Sequence, residues 1–265
     1  LLMKDSWMKN SWITKPIQLK FLIGEIHLFS VRFSFLVLNS HFTKLTTDLD
    51  ELRVPFEEFP STVQGALIRS HPIKEELPRL SWLLHLIRYV PAQYERYYIN
   101  LQGLFEDYLK KFSSKSRSTL KRKIRKFAEF SGGEVCWREF RKREEMEEFY
   151  RLAREVSQKT YQEKILDAGL PTSKEFKQQM LDLASNGLVR GYVLFHSDRP
   201  VAYLYCPITE GILLYNYLGY DPEFQSWSPG TVLQYLVLEK LFTEGSFRMF
   251  DFTEGSGTHK EFFAT

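Results

Sequence analysis

From Phe29 to Val37 apolar and polar residues alternate, with Phe29, Val31, Phe33, Phe35 and Val37 set against Ser30, Arg32 and Ser34. A period of two puts the two sets on opposite faces of a strand, so residues 16–39 read as a strand pair. The stretch is apolar enough to suggest a membrane anchor, but Lys20, Glu25, His27 and Arg32 interrupt it, and no integral membrane span is expected. A polar turn region follows. Residues 66–91 then carry a helical pattern broken by Pro72, Pro78 and Pro91.

From residue 103 the periodicity sharpens. Residues 104–133 predict a helix, a break at Ser113–Ser116, and a second helix with Leu120, Ile124 and Phe127 on one face, stopped by Gly132 and Gly133. A strand is predicted at 134–140. Met146, Phe149, Tyr150, Ala153 and Val156 recur at helical spacing in 143–162, with the acidic residues before them forming a solvated face, and 173–187 reads as a helix capped by Ser173 and stopped by Gly187. Residues 188–222 switch to period two and hold three runs separated by turn formers at 196–200 and 209–211, an antiparallel meander. A loop, a helix at 231–245 and a short strand at 248–252 complete an α/β (α+β mixed sheet) pattern. Residues 1–100 predict a partial N-terminal lobe and 101–265 a second, better-formed domain.

The last long helix begins in an unusual way. Val232, Leu233, Leu236, Leu238, Leu241 and Phe242 form its apolar stripe, and Pro229 and Gly230 stand at its start. Proline is tolerated in a first turn because its missing N–H would have no intrahelical partner, and glycine admits close approach to the backbone. Such an end offers bare N–H groups and a positive dipole end, which suit an anion. In the alternative, Ser228 caps the helix and Pro229 merely starts it.

Four stretches in fixed order sharpen the choice: YLKKFSSKSRSTLKRKIRKF (108–127), RPVAYLY (199–205), YNYLGYDPEFQSWSPGTVLQY (215–235) and FDFTEGSGTHKEFF (250–263). Together they resemble the GNAT acyltransferase superfamily, and within it the CelD-like branch of cellulose and exopolysaccharide biosynthesis, related to the Fem-type peptidyltransferases. The resemblance spans about residues 104–263. It implies a GNAT fold with a partial first lobe, and transfer of an acyl group from acyl-coenzyme A to an amine or hydroxyl of a small-molecule or saccharide acceptor in the cytoplasm. Two departures stand out. The family's terminal motif has an aromatic residue, usually tyrosine, before its lysine, where this chain has His259 before Lys260; and the family has a fuller first lobe and continues past the lysine, so a fragment is expected.

The resemblance also implies where the chemistry sits. The pantetheine arm would follow the strand at Tyr217, Leu218 and Gly219, and the pyrophosphate would meet Ser228, Pro229, Gly230, Thr231 and Val232, largely through backbone groups. For proton transfer, Asp251, Glu254, His259 and Lys260 lie at the C-terminal end of a strand, where α/β sheets bind ligands. A carboxylate at Asp251 or Glu254 could act as base, and histidine titrates near neutrality. Each also has a structural reading: Asp251 pins a loop, Glu254 is a solvated turn residue, Lys260 is a surface charge. Their mixed spacing is poor for zinc, so no metal is expected.

Charge and composition change the picture in two places. The net charge of +3 is too small to make the whole chain a polyanion binder, but Lys110 to Lys126 holds nine Lys or Arg and no acid. That run reads either as a helix with solvated charges or as a contact for an anionic partner, the latter giving a Fem-type, tRNA-dependent aminoacyltransferase as the alternative within the fold. A non-catalytic interaction module with the same fold is the alternative outside enzymology. The 22 Phe, 14 Tyr and 5 Trp imply a ring-rich core, with Trp227 beside the proposed site. Cys136 and Cys206 lie 70 residues apart, which suits neither a metal site nor a disulfide framework and points to a reducing compartment.

Overall fold

The computed structural model describes residues 12–23, 26–38, 61–83, 86–160, 163 and 169–265. The polar turn region, Trp7 and the end of the helix pattern at Tyr161 and Gln162 lie outside the described residues. Two compact units divide the chain at Gln93 and Tyr94.

In the first unit the period-two stretch pairs with the segment before it. β1 (Trp12–Ile23) runs antiparallel to β2 (Ile26–Leu38), with Ile17 opposite Phe33 and Lys15 opposite Phe35, and β3 (Gly65–Leu67) adds to β2 in parallel. The helical reading of 66–91 is wrong. Besides β3 this segment holds β4 (Leu80–Leu83) and β5 (Leu86–Tyr89), paired antiparallel with Leu80 opposite Tyr89 and Trp82 opposite Ile87, and its described residues contain no helix. Pro72, Pro78 and Pro91 remove the N–H groups a helix would need, whereas the alternation Leu80, Trp82 against Ile87, Tyr89 suits a two-stranded ribbon.

The second unit is built on a seven-stranded mixed sheet whose main path runs β6 (Tyr98–Asn100), β12 (Met249–Asp251), β10 (Ile212–Leu214), β9 (Arg199–Thr209), β8 (Val189–His196), β7 (Cys136–Phe140), with β11 (Tyr217–Tyr220) also on β9. The meander prediction corresponds to β8, β9 and the β10–β11 run. Side-chain alternation along β9 divides the core. Tyr203 and Tyr205 face α3 (Arg143–Ser157) and α4 (Lys174–Ser185), while Ala202, Leu204 and Cys206 face α1 (Phe105–Lys110), α2 (Ser114–Phe130) and α5 (Pro229–Glu244). Ser173 caps α4 by accepting from Phe176 N–H, and Gly187 follows that helix at φ 68°. The helix break lies earlier than read, at Lys111–Ser113 rather than Ser113–Ser116: Ser113 caps α2 through Ser116 N–H, and Ser114 and Ser116 belong to the helix.

α5 is buried more completely than an amphipathic stripe implies. Gln234, Tyr235 and Val237 are buried along with Val232, Leu233, Leu238, Leu241 and Phe242, because α2 and the sheet enclose it on different sides. Both cysteines are free; Cys206 is fully buried and burial pushes its thiol well up. Among the described residues no helix is long and apolar enough to cross a membrane.

Candidate functional site

The sheet opens along one line. β10 and β12 run parallel, with Ile212, Leu213 and Leu214 opposite Met249, Phe250 and Asp251, and a last rung from Tyr215 N–H to Asp251 C=O at 2.8 Å. Beyond it the strands part. Asn216 N–H turns to Tyr205 C=O at 3.2 Å as β11 stays on β9, whereas Phe252 N–H turns to Tyr97 C=O at 3.0 Å on the other side. β11 therefore has β9 on one side and no strand on the other among the described residues. Thr253 stands at the mouth of the opening, its hydroxyl donating to Tyr215 C=O at 3.2 Å, with a φ of 60° that a β-branched residue rarely adopts.

β10–β11 feeds α5 through a fixed loop. Asp221 accepts from Glu223 N–H to start the 3-10 turn Pro222–Trp227, and it is buried between Arg199 (2.7 Å) and Lys159 (3.2 Å). Burial alone would raise its carboxyl; the Glu223 N–H, Arg199 and Lys159 outweigh that and hold it below its usual range. Trp227 stacks on Phe130 of α2 at 4.0 Å, so the ring expected beside the site packs against α2.

The start of α5 differs from the capping reading of it. Ser228 occupies the N-cap position in the left-handed region (φ 53°, ψ 48°) and its side chain makes no capping bond, so the capping reading fails. The first helical N–H bond is Val232 to Ser228 C=O at 3.0 Å; Gly230 and Thr231 N–H have no partner among the described residues. Gly230 is closely packed: a Cβ there would lie 3.2 Å from Leu218 and 3.3 Å from Tyr220 on β11. Gly219 is tighter still, its added Cβ meeting the Tyr203 ring at 2.5 Å. The side chain of Tyr217 packs with Phe176 and Tyr205, and burial pushes its phenol up.

At this end of the sheet a cavity of about 510 Å³ is lined by Lys115, Ser116, Thr119 and Lys123 of α2, Thr231 of α5, and Thr258 and His259 of α6 (Thr258–Phe263), with Leu120, Phe262 and Phe263 as its apolar wall. Of the residues singled out from sequence it gathers Thr231 and His259. His259 is hydrogen-bonded through Nε2 to Oε1 of the buried Gln234 at 2.6 Å, and its pKa is lowered by burial, then by Lys123 and Lys260. The remaining candidates lie outside that lining. Asp251 is fully buried in a two-point ion pair with Arg96, at 3.0 Å and 2.6 Å, and also accepts from Thr253 N–H at 2.9 Å. Glu254 is an exposed turn residue. Lys260 donates to Glu254 C=O at 2.6 Å and Gly255 C=O at 3.2 Å, holding the same turn closed, and burial lowers its pKa.

Sequence reasoning missed Lys115, Thr119 and Lys123 as site residues. Their spacing of four puts them on one helical face, a signal present in the chain, but only the packing of α2 on α5 makes that face a wall of the cavity. Among the described residues no group of His, Cys, Asp or Glu could hold a metal ion.

Residues 114–261 match the family model described as an acetyltransferase (GNAT) domain. Among solved structures the chain is similar to FemX, with a TM-score of 0.52 at 10% identity over 96% of this chain and 83% of that one. It is also matched to the C-terminal DUF2156 domain of an Agrobacterium fabrum protein (TM-score 0.44, 12% identity, 62% of this chain), of which it spans 48%. No curated protein matches by sequence. The FemX likeness supports the mixed α/β fold; the family match covers more than half of the chain, which belongs to the acetyltransferase (GNAT) domain family.

Proposed function

We propose that this acyltransferase moves an acyl group, acetyl in the simplest case, from acyl-coenzyme A to an amine or hydroxyl of a cell-envelope or exopolysaccharide precursor in the bacterial cytoplasm. The observation that carries the reading is the cavity where the first turn of α5 meets Lys115 and Lys123 of α2 and His259 of α6. Thr231, with its unpartnered N–H and its hydroxyl, lines it together with two lysines, a donor set that suits a pyrophosphate, and the unpartnered N–H of Gly230 is next to it in the chain. The free edge of β11 at Tyr217, Leu218 and Gly219 offers backbone groups to an amide-bearing arm such as pantetheine, while Ser228, Pro229 and Val232 hold the helix start in place. A bound thioester would supply the activated acyl carbon. The chain's own part is to orient it, keep water away with Phe262 and Phe263, and move a proton at His259. The exopolysaccharide assignment rests on the CelD-like resemblance of 104–263.

Isothermal titration of the chain with acetyl-coenzyme A tests the reading. Saturable binding that weakens when Lys115 and Lys123 are neutralised is expected, and absence of binding counts directly against it.

One observation favours a second reading, an aminoacyltransferase that takes its donor from tRNA. Arg117, Lys121, Arg122 and Arg125 line a separate depression on the solvent face of α2, and Arg125 with Glu129 at 3.7 Å is their sole ion pair among the described residues. A polyanion lying there would bind more weakly as salt rises. Salt-dependent tRNA binding lost on charge reversal at Arg122 and Arg125 would establish it, and no binding would retire it.

A further inference from the structure

Gln234 is a polar residue in the most apolar helix of the molecule. Its neighbours Val232, Leu233, Tyr235, Val237 and Leu238 are all buried in the core, and its own side chain is fully buried. Only half of its amide is used: Oε1 lies 2.6 Å from His259 Nε2, while Nε2 is buried with no partner among the described residues. A buried NH₂ without an acceptor is a cost that a leucine or methionine at this position would not carry. The use that offsets it is the one contact the amide makes.

We infer that Gln234 is a positioning residue that fixes His259 as its Nε2–H tautomer, so that Nδ1 is the lone-pair nitrogen available for proton transfer at the cavity. An amide oxygen only accepts, so the ring nitrogen facing it must carry the hydrogen. His259 Nδ1 makes no hydrogen bond among the described residues and is not among the buried polar atoms left without partners, which fits a nitrogen at the cavity face of the residue. The ring is wedged edge-on to Phe252 and tilted on Phe263 at 5.0 Å, so packing as well as the hydrogen bond resists a flip.

The groups around the ring from each packed element suit a nitrogen that takes up a proton and releases it. α2 contributes Lys115 and Lys123 to the shared cavity, α6 contributes Lys260, and α5 contributes the neutral Gln234. Burial, then Lys123 and Lys260, with no described acidic group in contact, disfavour a standing imidazolium, so the ring starts neutral. In the transfer, one proton leaves the acceptor's amine or hydroxyl for Nδ1 and ends on the departing thiolate, and the ring returns to its starting tautomer with Nε2–H still donated to Gln234. This proton role rests on the acyltransferase reading; the tautomer assignment does not.

Long-range ¹H–¹⁵N correlation spectra of the labelled protein test both parts. His259 signals are assigned by their loss in His259→Gln. In the wild type at pH 7.5 the unprotonated, downfield nitrogen is expected to be Nδ1. In Gln234→Met, close to isosteric and checked for folding by circular dichroism, a mixture of tautomers is expected. In Gln234→Glu the Nε2–H form is expected to persist and the imidazolium to survive to higher pH. A wild-type spectrum with the downfield nitrogen at Nε2 overturns the inference without reference to any variant, and so does a folded Gln234→Met protein whose tautomer is unchanged. Addition of acetyl-coenzyme A is expected to shift the Nδ1 resonance. If the tautomer is as stated and the chain binds acetyl-coenzyme A with no shift at Nδ1, the proton role falls; if acetyl-coenzyme A does not bind, the acyltransferase reading falls and the tautomer assignment stands.

Discussion

Substituting Asp251→Asn separates two roles for the carboxylate at the end of β12. In the fold it is fully buried, grips Arg96 through both oxygens and accepts from Thr253 N–H, so three donors converge on it. Asparagine keeps the size and one acceptor but turns an NH₂ toward the guanidinium and removes the negative charge that this ion pair supplies. Breaking a buried pair by removing one partner costs about 3–5 kcal/mol. Because the Arg96 side chain is 17% exposed, water recovers part of its solvation, and the lower end, about 3 kcal/mol, is the expected loss. For a unit of this size each kcal/mol moves Tm by roughly 2–4 °C, giving a drop of roughly 6–12 °C. Thermal and urea unfolding followed by far-UV circular dichroism would measure it, with Arg96→Met expected to behave similarly and the double variant to be far less than additive. A change under about 2 °C, together with loss of transferase activity, would refute the structural role and return Asp251 to the list of bases.

Neutralising Lys115 and Lys123 to glutamine should weaken acetyl-coenzyme A binding by about 2- to 10-fold each, with the difference shrinking as salt rises. Titration calorimetry at two ionic strengths checks it. Gly219→Ala forces a Cβ to 2.5 Å from the Tyr203 ring and 3.1 Å from Thr160, so a loss of about 1–3 kcal/mol is expected in urea unfolding. Gly230→Ala meets the ends of Leu218 and Tyr220 at 3.2–3.3 Å, where side chains can give and alanine favours the helix, so its stability should change by less than about 1 kcal/mol. His259 has a folded pKa below the unfolded 6.5, so as pH falls the unfolded chain takes up a proton first. Its contribution is absent above about pH 7 and erodes stability as acidification proceeds through 6.5 to the folded pKa; His259→Gln should accordingly flatten the fall in Tm between about pH 7 and 5 relative to wild type.

Local pattern wrote most of the second unit. Met146, Phe149, Ala153 and Val156 are spaced for a helix and are buried on one face of α3; Ala202, Leu204 and Cys206 against Tyr203 and Tyr205 are spaced for a strand and divide the core as that period requires. The failures have a common physical cause, which is that periodicity reports what a segment buries and says nothing about what lies across from it. Residues 66–91 kept a helical spacing of leucines while their prolines forbade the helix, and the ribbon formed because Leu80 and Trp82 had Tyr89 and Ile87 to face. The last meander strand read as one run, but its partner changes at Asn216, where hydrogen bonding passes from Asp251 to Tyr205, and no side chain announces that change.

The site was legible to the same extent. Pro229 and Gly230 flag a helix start with few bonded N–H groups, and that much is local chemistry. What a side chain there would meet is a tertiary fact, since its Cβ would press on Leu218 and Tyr220. The basic run is the clearest case. One helix carries two sets of cations, Lys115 and Lys123 turned into the cavity and Arg117, Lys121, Arg122 and Arg125 turned to solvent, and residue counts cannot separate them. The separation matters for mechanism. Lys123 on the inner face acts on His259, both inner lysines line the cavity beside Thr231 of α5, and the outer-face cations are about half a helical turn away. Charge reversal on the outer face should therefore alter polyanion binding while leaving acetyl-coenzyme A affinity nearly unchanged, whereas neutralising the inner pair should weaken acetyl-coenzyme A binding and leave polyanion binding nearly unchanged; neither should move the His259 tautomer, which Gln234 sets.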